Sequence, residues 1–195
     1  FGAYLRRALE AMVSDDRRRV EQIDLLTLPE REQVIVAWND TERAIPNASI
    51  PALFEAHVRR SPDAVAVRHH GVSLTYAELN ARANRLAAHL QTHGVVVGSR
   101  VALVLERSIE LVVAQLAVLQ CGAAYVPLAP DDGAERLRYL IEDTGATLVI
   151  SNQQFVDHAI SGGRTVVDAG VALLAGPGAP AAVAIDGDAV AYVMY

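Results

Sequence analysis

Several places in the 195-residue chain carry residue types that could do chemistry. His69-His70 could ligate a metal ion, but neighbouring residues on a strand point to opposite faces, so the pair is not read as a site. Cys121 is the one thiol and could be a nucleophile. It stands between Leu119-Gln120 and Gly122-Ala123-Ala124, a setting that makes it an inert core thiol. Asp131-Asp132 and Glu135 offer carboxylates without the spacing of a calcium loop. Asp132 and Glu135 have instead the spacing of a helix capping box. Arg17-Arg18-Arg19 reads as a solvated helix exit in preference to an anion patch. Gly176-Pro177-Gly178 lacks the strand–glycine–helix context of a phosphate loop. Gly-x-Ser-x-Gly, His-Glu-x-x-His and Cys-x-x-Cys are absent. No catalytic, cofactor-binding or metal-ligating residue is therefore assigned.

Composition narrows the classes. Hydrophobic residues make up 52% and charged residues 21%, enough for a core and against disorder. The net charge of −6 excludes a broadly basic nucleic-acid binder. One cysteine excludes an internal disulfide. All 17 basic residues are arginine, so chemistry that needs a lysine cannot be completed by these residues. No apolar run reaches the roughly 18 residues of a membrane span. The stretch Leu111–Leu119 is interrupted by Gln115. The chain opens on Phe1 with no basic-then-apolar leader, which reads as an internal, cytoplasmic piece of something longer.

The elements that would position any site follow from periodicity. Phe1–Asp15 is an amphipathic helix with Leu5, Leu9 and Met12 at helical spacing, and Val20–Leu26 is extended. Thr27, Pro29 and Glu30 open a helix that runs to about Trp38, followed by a polar linker over Asn39–Ser49. From Ile50 onward, helices and strands alternate. Helices are expected over Pro51–Arg60, Tyr76–His93, Ile109–Gln120, Ala134–Glu142 and, more weakly, Gln153–Ala159. Strands are expected over Ala64–Arg68, Val72–Thr75, Val101–Leu105, Ala124–Leu128, Thr147–Ser151, Arg164–Val167 and Ala189–Tyr195, with Ala169–Gly187 as loop. This alternation predicts a mostly parallel α/β sheet with flanking helices. Ligands of such sheets bind beyond the carboxyl ends of the strands, which makes the loop after Tyr195 a prime position.

Two short motifs stand out. In Leu74-Thr75-Tyr76-Ala77-Glu78-Leu79, Thr75 and Glu78 form a capping box, and Leu74 and Leu79 a hydrophobic staple. In Leu119–Leu128, Gly122 is a left-handed helix cap, Ala123 and Ala124 permit close backbone approach, and Tyr125 leads to Pro127, which suits a strand end or edge. Both read as structural motifs.

Together these motifs resemble the junction of a condensation domain and an adenylation domain in a nonribosomal peptide synthetase. Residues 1–28 are similar to the last helix and exit strand of a condensation domain. Residues 29–49, with Trp38-Asn39-Asp40-Thr41, are similar to the inter-domain linker. Residues 50–195 resemble the N-terminal part of an AMP-binding, adenylate-forming domain. Leu53-Phe54-Glu55 and Ser61–Val67 resemble its start, Leu74–Leu79 its first core motif, and Leu119–Leu128 its second. Glu135-Arg136-Leu137 fits the helix that follows, and Ala191-Tyr192-Val193-Met194-Tyr195 the strand running into the third. The chain departs from the family at Ala129, where an Asp is common, and at Asp132-Gly133, where Tyr-Pro is common.

The resemblance implies a chemistry. Such a domain activates an amino acid with ATP and Mg to an aminoacyl-AMP, then loads it onto the phosphopantetheine thiol of a carrier domain. The implied partners are an upstream condensation domain, the rest of the adenylation domain and a downstream carrier domain, with no nucleic acid and no membrane. The phosphate loop would begin just after Tyr195, and the acid-selecting pocket and a late lysine would lie further on. The fragment itself is then expected to bind no cofactor and to be inactive. A free-standing acyl-CoA or aryl-acid ligase is the competing enzyme reading, disfavoured by Phe1–Thr41. A non-catalytic scaffold or docking segment is the other.

Overall fold

The computed structural model describes residues 1–15, 17–44, 46, 48–152, 163–171, 178 and 180–195. The expected helix over Gln153–Ala159 lies outside them. The chain divides into two compact units, Phe1–Pro46 and Asn47–Tyr195.

In the first unit, helix α1 spans Gly2–Ser14 and helix α2 spans Leu28–Ile35. The Thr27 hydroxyl accepts from the Glu30 amide at 3.1 Å, and Glu30 accepts from the Thr27 amide at 2.7 Å. The expected extended run over Val20–Leu26 is instead a single 3₁₀ turn at Val20–Gln22. Gln22 Oε1 accepts from the Arg19 amide at 3.2 Å, a local bond that closes the turn. Helix α2 ends at Ile35 rather than near Trp38. The Asn39 side-chain Nδ2 donates to the carbonyls of Val34 and Ile35 and caps them from outside the helix.

The second unit begins with α3, Ile50–Arg60. Strands β1, Val65–His69, and β2, Val72–Thr75, form an antiparallel hairpin. Then follow α4 (Tyr76–Thr92), β3 (Arg100–Val104), α5 (Ile109–Gln120), β4 (Ala124–Leu128), α6 (Ala134–Asp143), β5 (Leu148–Ser151) and β6 (Thr165–Asp168). The last four strands pair in parallel in the order β4-β3-β5-β6.

Strand alternation sends side chains to two separate cores. Val101, Leu103, Leu148, Ile150 and Val167 meet α4 and α5 on one face. Ala102, Val104, Val126, Leu128 and Val149 meet Leu137, Leu140 and Ile141 of α6 on the other. Helices on both faces are why these strands read as near-continuous apolar runs. Leu86, Leu90, Leu103 and Ile150 have at most 1% of their surface exposed. Burial of each such side chain contributes about 1.5–3 kcal/mol.

Three local expectations are corrected. Helix α6 has Gly133 at its N-cap and no side-chain cap, so Asp132 and Glu135 form no capping box. Asp132 instead pairs with Arg136 at 3.4 Å, one helical turn on. His69 and His70 do not point to opposite faces. His70 leaves the strand at φ +45°, and the two rings meet with centroids 4.0 Å apart. Ala189–Tyr195 forms only one parallel bridge, between Tyr192 and Tyr125, rather than a full strand. Tyr125 donates to Ala191 and accepts from Val193. The next ladder bond on that edge would need an amide at position 127, and Pro127 has none.

Candidate functional site

The topology marks one place for a ligand. From β3 the chain crosses to β4 on one side, whereas β6 lies beyond β5 on the other. The strand order reverses between β3 and β5, and the crevice outside their carboxyl ends is where open α/β sheets bind ligands.

A cavity of about 580 Å³ opens there. Its walls include Glu106, Arg107 and Ser108, which follow β3, Asn152, which follows β5, and Asp168 at the end of β6. The hairpin histidines His69 and His70 form another wall. Arg107 also lines a neighbouring cavity of about 310 Å³ with Pro130 and Asp131, so it stands between the two. Ser108 caps α5, its hydroxyl accepting from the Leu111 amide at 3.2 Å, and with Glu110 it brings the first turn of that helix to the border of the crevice. Asp168 Oδ1 accepts from the amides of Gly170 and Val171 at 2.8 and 3.0 Å, fixing the loop after β6. Asn152 Oδ1 is buried and has no hydrogen-bond partner among the described residues.

The crevice is lined by charged and polar groups of both signs. Arg107 and the α5 N-terminus attract negative charge, while the carboxylates of Glu106, Glu110 and Asp168 outnumber them and oppose it. Among the described residues, no group of three His, Cys, Asp or Glu side chains could hold a metal ion. Cys121 belongs to the core between α4 and the sheet: it is 1% exposed, and burial pushes its thiol up to about 12.

His69, His70 and Asp131, weighed from sequence as ligands, border these cavities, whereas the residues of the two sequence motifs lie elsewhere. Thr75 Oγ1 accepts from the Glu78 amide at 3.2 Å, and Glu78 Oε2 accepts from the Thr75 amide at 2.8 Å. Those bonds hold the Glu78 carboxyl below its ordinary value. Leu74 and Leu79 are buried in one core cluster. Tyr76 packs against His57, with ring centroids 4.3 Å apart. Gly122 ends α5 at φ +68° with Val97 pressed close, and Ala124 begins β4 as a buried residue. Tyr125 stacks on Tyr192 with centroids 5.7 Å apart. Pro127 lies within β4. None of these residues borders the crevice. Arg107, Asn152 and Asp168 were not singled out from sequence. Their one local signal is position: each ends or closely follows an apolar strand.

Comparison with known proteins adds the family. The model of the AMP-binding enzyme family matches residues 54–195. The chain belongs to the AMP-binding enzyme family. Within that family it is the N-terminal part of an adenylation domain of the nonribosomal peptide synthetase type. It is 40% identical over 154 residues to the dimodular nonribosomal peptide synthase of Bacillus subtilis, covering 79% of this chain and 6% of that synthase. The crystal structure of the nonribosomal peptide synthetase FmoA3 (S1046A) superposes with a TM-score of 0.81 at 29% identity, covering 98% of this chain and 21% of that one. The N-terminal subdomain of Klebsiella oxytoca NpsA, in complex with 3-hydroxyanthranilyl-AMSN, gives a TM-score of 0.70 at 26% identity over 75% of this chain and 37% of that one. The chain thus spans a small part of the length of the curated relatives it matches. Among its described residues, no helix is long and apolar enough to cross a membrane.

Proposed function

We propose that this chain is a scaffold part of an amino-acid-activating module. The parent domain joins an amino acid to ATP, releasing pyrophosphate and leaving an aminoacyl-AMP. It then transfers the acyl group to the phosphopantetheine thiol of a carrier domain. The observation that carries this reading is the family match over residues 54–195. FmoA3 has been crystallised with α-methyl-L-serine-AMP, and NpsA has been fused to a carrier protein as an adenylation–PCP di-domain, which supports the same chemistry here.

The residues of this chain do not by themselves suit ATP and Mg. The chain has no lysine to grip a phosphate, and its described residues offer no carboxylate cluster for the metal. The role assigned to it is therefore positional. It supplies the sheet, the Arg107 crevice and the Tyr125–Tyr192 bridge from which the chain runs on toward a phosphate loop just after Tyr195. Residues 1–28 are assigned to the tail of an upstream condensation domain, residues 29–49 to the linker, and residues 50–195 to the adenylation domain. The whole is placed in the cytoplasm, where ATP and the carrier thiol are available.

The test is carrier loading in the parent protein. With ATP, Mg and a panel of amino acids, intact-mass measurement of the carrier domain should show one aminoacyl thioester. Loading of a fatty or aryl acid onto coenzyme A, with no thioester on any carrier, would favour the free-standing ligase.

A further inference from the structure

The C-terminal end of α4 carries two histidines on one face. His89 and His93 are four residues apart, a spacing that sets side chains one above the other along a helix. Their ring centroids stand 4.4 Å apart with 52° between the planes. His89 is half-buried and His93, which caps the helix, is exposed, so the pair is reached from solvent. Two imidazoles at this helical spacing form a bidentate grip on a divalent metal ion. With each nitrogen about 2.0–2.1 Å from a shared ion, the ring centroids of such a chelate stand roughly 4.5–5 Å apart, close to the separation found.

Local bonds prepare the pair. His93 Nδ1 lies 2.9 Å from the His89 carbonyl oxygen. A carbonyl can only accept, so Nδ1 carries the proton and Nε2 keeps the lone pair. A ring N–H held by a backbone carbonyl, with the other nitrogen left for the metal, is the arrangement that orients ligating histidines. Thr92 Oγ1 donates to the same carbonyl at 2.7 Å and so steadies the oxygen that steadies the ring. The place also suits a cation. It is the carboxyl end of a 17-residue helix, where the aligned peptide dipoles leave partial negative charge. By contrast, His69 and His70 are neighbours at a hairpin tip, and their rings meet edge to face.

We propose that His89 and His93 form a surface site for a divalent ion of the zinc–nickel–copper class. His93 binds through Nε2, His89 supplies the second nitrogen, and water fills the remaining positions. Imidazole nitrogens select that class over Mg²⁺ and Ca²⁺, which take oxygen ligands. The site shares no residue with the Arg107 crevice and does not depend on the adenylation reading. Gln91 lies between the two ligands in the chain. Its Nε2 donates to the Ala181 carbonyl at 3.0 Å, and its Oε1 accepts from the Ala181 amide at 2.8 Å. An ion on the histidine pair thereby braces the turn that holds Ala181.

The test is a Zn²⁺ titration of the chain, ¹⁵N-labelled at histidine, at neutral pH and followed by the ring-nitrogen signals. The Nε2 signal of His93 and one ring-nitrogen signal of His89 should shift together and saturate at one ion per chain. His93 Nδ1 should keep its proton. Mg²⁺ at the same concentration should move neither ring. His93→Asn is the decisive variant, because the Asn side-chain amide can still donate to the His89 carbonyl and keep the helix end while offering no imidazole. It should weaken Zn²⁺ binding at His89 at least about tenfold, since a chelate then loses its second arm. His89→Gln should weaken binding at His93 to the same extent. Unchanged affinity in His93→Asn, shifts that stay linear in Zn²⁺, or the same saturation curve at His69 and His70 would overturn the proposal.

Discussion

Tyr192 is held to Tyr125 in two ways at once. Their rings stack with centroids 5.7 Å apart at an interplanar angle of 27°, and the backbone of Tyr125 bonds to the residues on either side of Tyr192. The pairing stops there because Pro127, two residues on, has no amide to offer.

Pro127→Ala restores that donor. The new amide at position 127 should be protected from hydrogen exchange about two- to tenfold beyond an unpaired amide, the worth of one net hydrogen bond. Exchange measured by NMR checks this. An amide there that exchanges freely would show that something other than proline ends the bridge.

Gly122→Ala tests the joint between α5 and β4. A side chain at φ +68° costs about 1–2 kcal/mol, and the added Cβ would stand 2.9 Å from Val97 Cγ2. Urea unfolding should show a loss at or above that size. Pairing it with Val97→Ala should restore the part due to the clash and leave the backbone part.

Thr75→Ala removes the cap of α4. A loss of about 1 kcal/mol is expected in urea unfolding. The same change should alter the acid limb of the stability curve. In the folded chain the Thr75 amide and hydroxyl hold the Glu78 carboxyl below its ordinary 4.5. That stabilisation is complete above the unfolded value and is lost as pH falls through the folded one. As pH falls from about 4.5 through the lowered folded value, the difference between the two proteins should therefore narrow by the share of the hydroxyl–carboxylate bond, while the part due to the Glu78 amide donating to the Thr75 hydroxyl remains. A constant difference at every pH would sink this assignment.

Cys121 should be silent in the folded chain. With its thiol pushed up to about 12, almost no thiolate exists at neutral pH. A disulfide reagent should leave it untouched in buffer and titrate one thiol in denaturant. Fast labelling in buffer would place the side chain outside the core.

What the sequence reveals here is mostly local. The capping boxes Thr27–Glu30 and Thr75–Glu78 are legible because both partners lie within one helical turn. The apolar stripe of α4 is legible because its buried members, Leu79, Ala83, Leu86, Ala87 and Leu90, repeat at helical spacing. The same spacing misleads at Asp132 and Glu135, where Arg136 offers Asp132 a partner that the capping pattern ignores. The pairing of His69 with His70 turns on one left-handed residue at a hairpin tip, which alternation along a strand does not foresee. Arg107, Asn152 and Asp168 meet only because β3, β5 and β6 are neighbours, and strand order is not written in any one segment. Gln120 is similar. Its hydrogen bonds reach Asn80 and Asn84, which lie 40 and 36 residues earlier in the chain.

The most direct test of the central claim is ATP–pyrophosphate exchange, run side by side on this chain and on the same chain extended through the rest of the adenylation domain. Circular dichroism should first show that both are folded. The extended protein should exchange only when one particular amino acid is present, and the 195-residue chain should show no exchange with any. Exchange by the short chain, or none by the folded extended protein with any amino acid, would contradict the account.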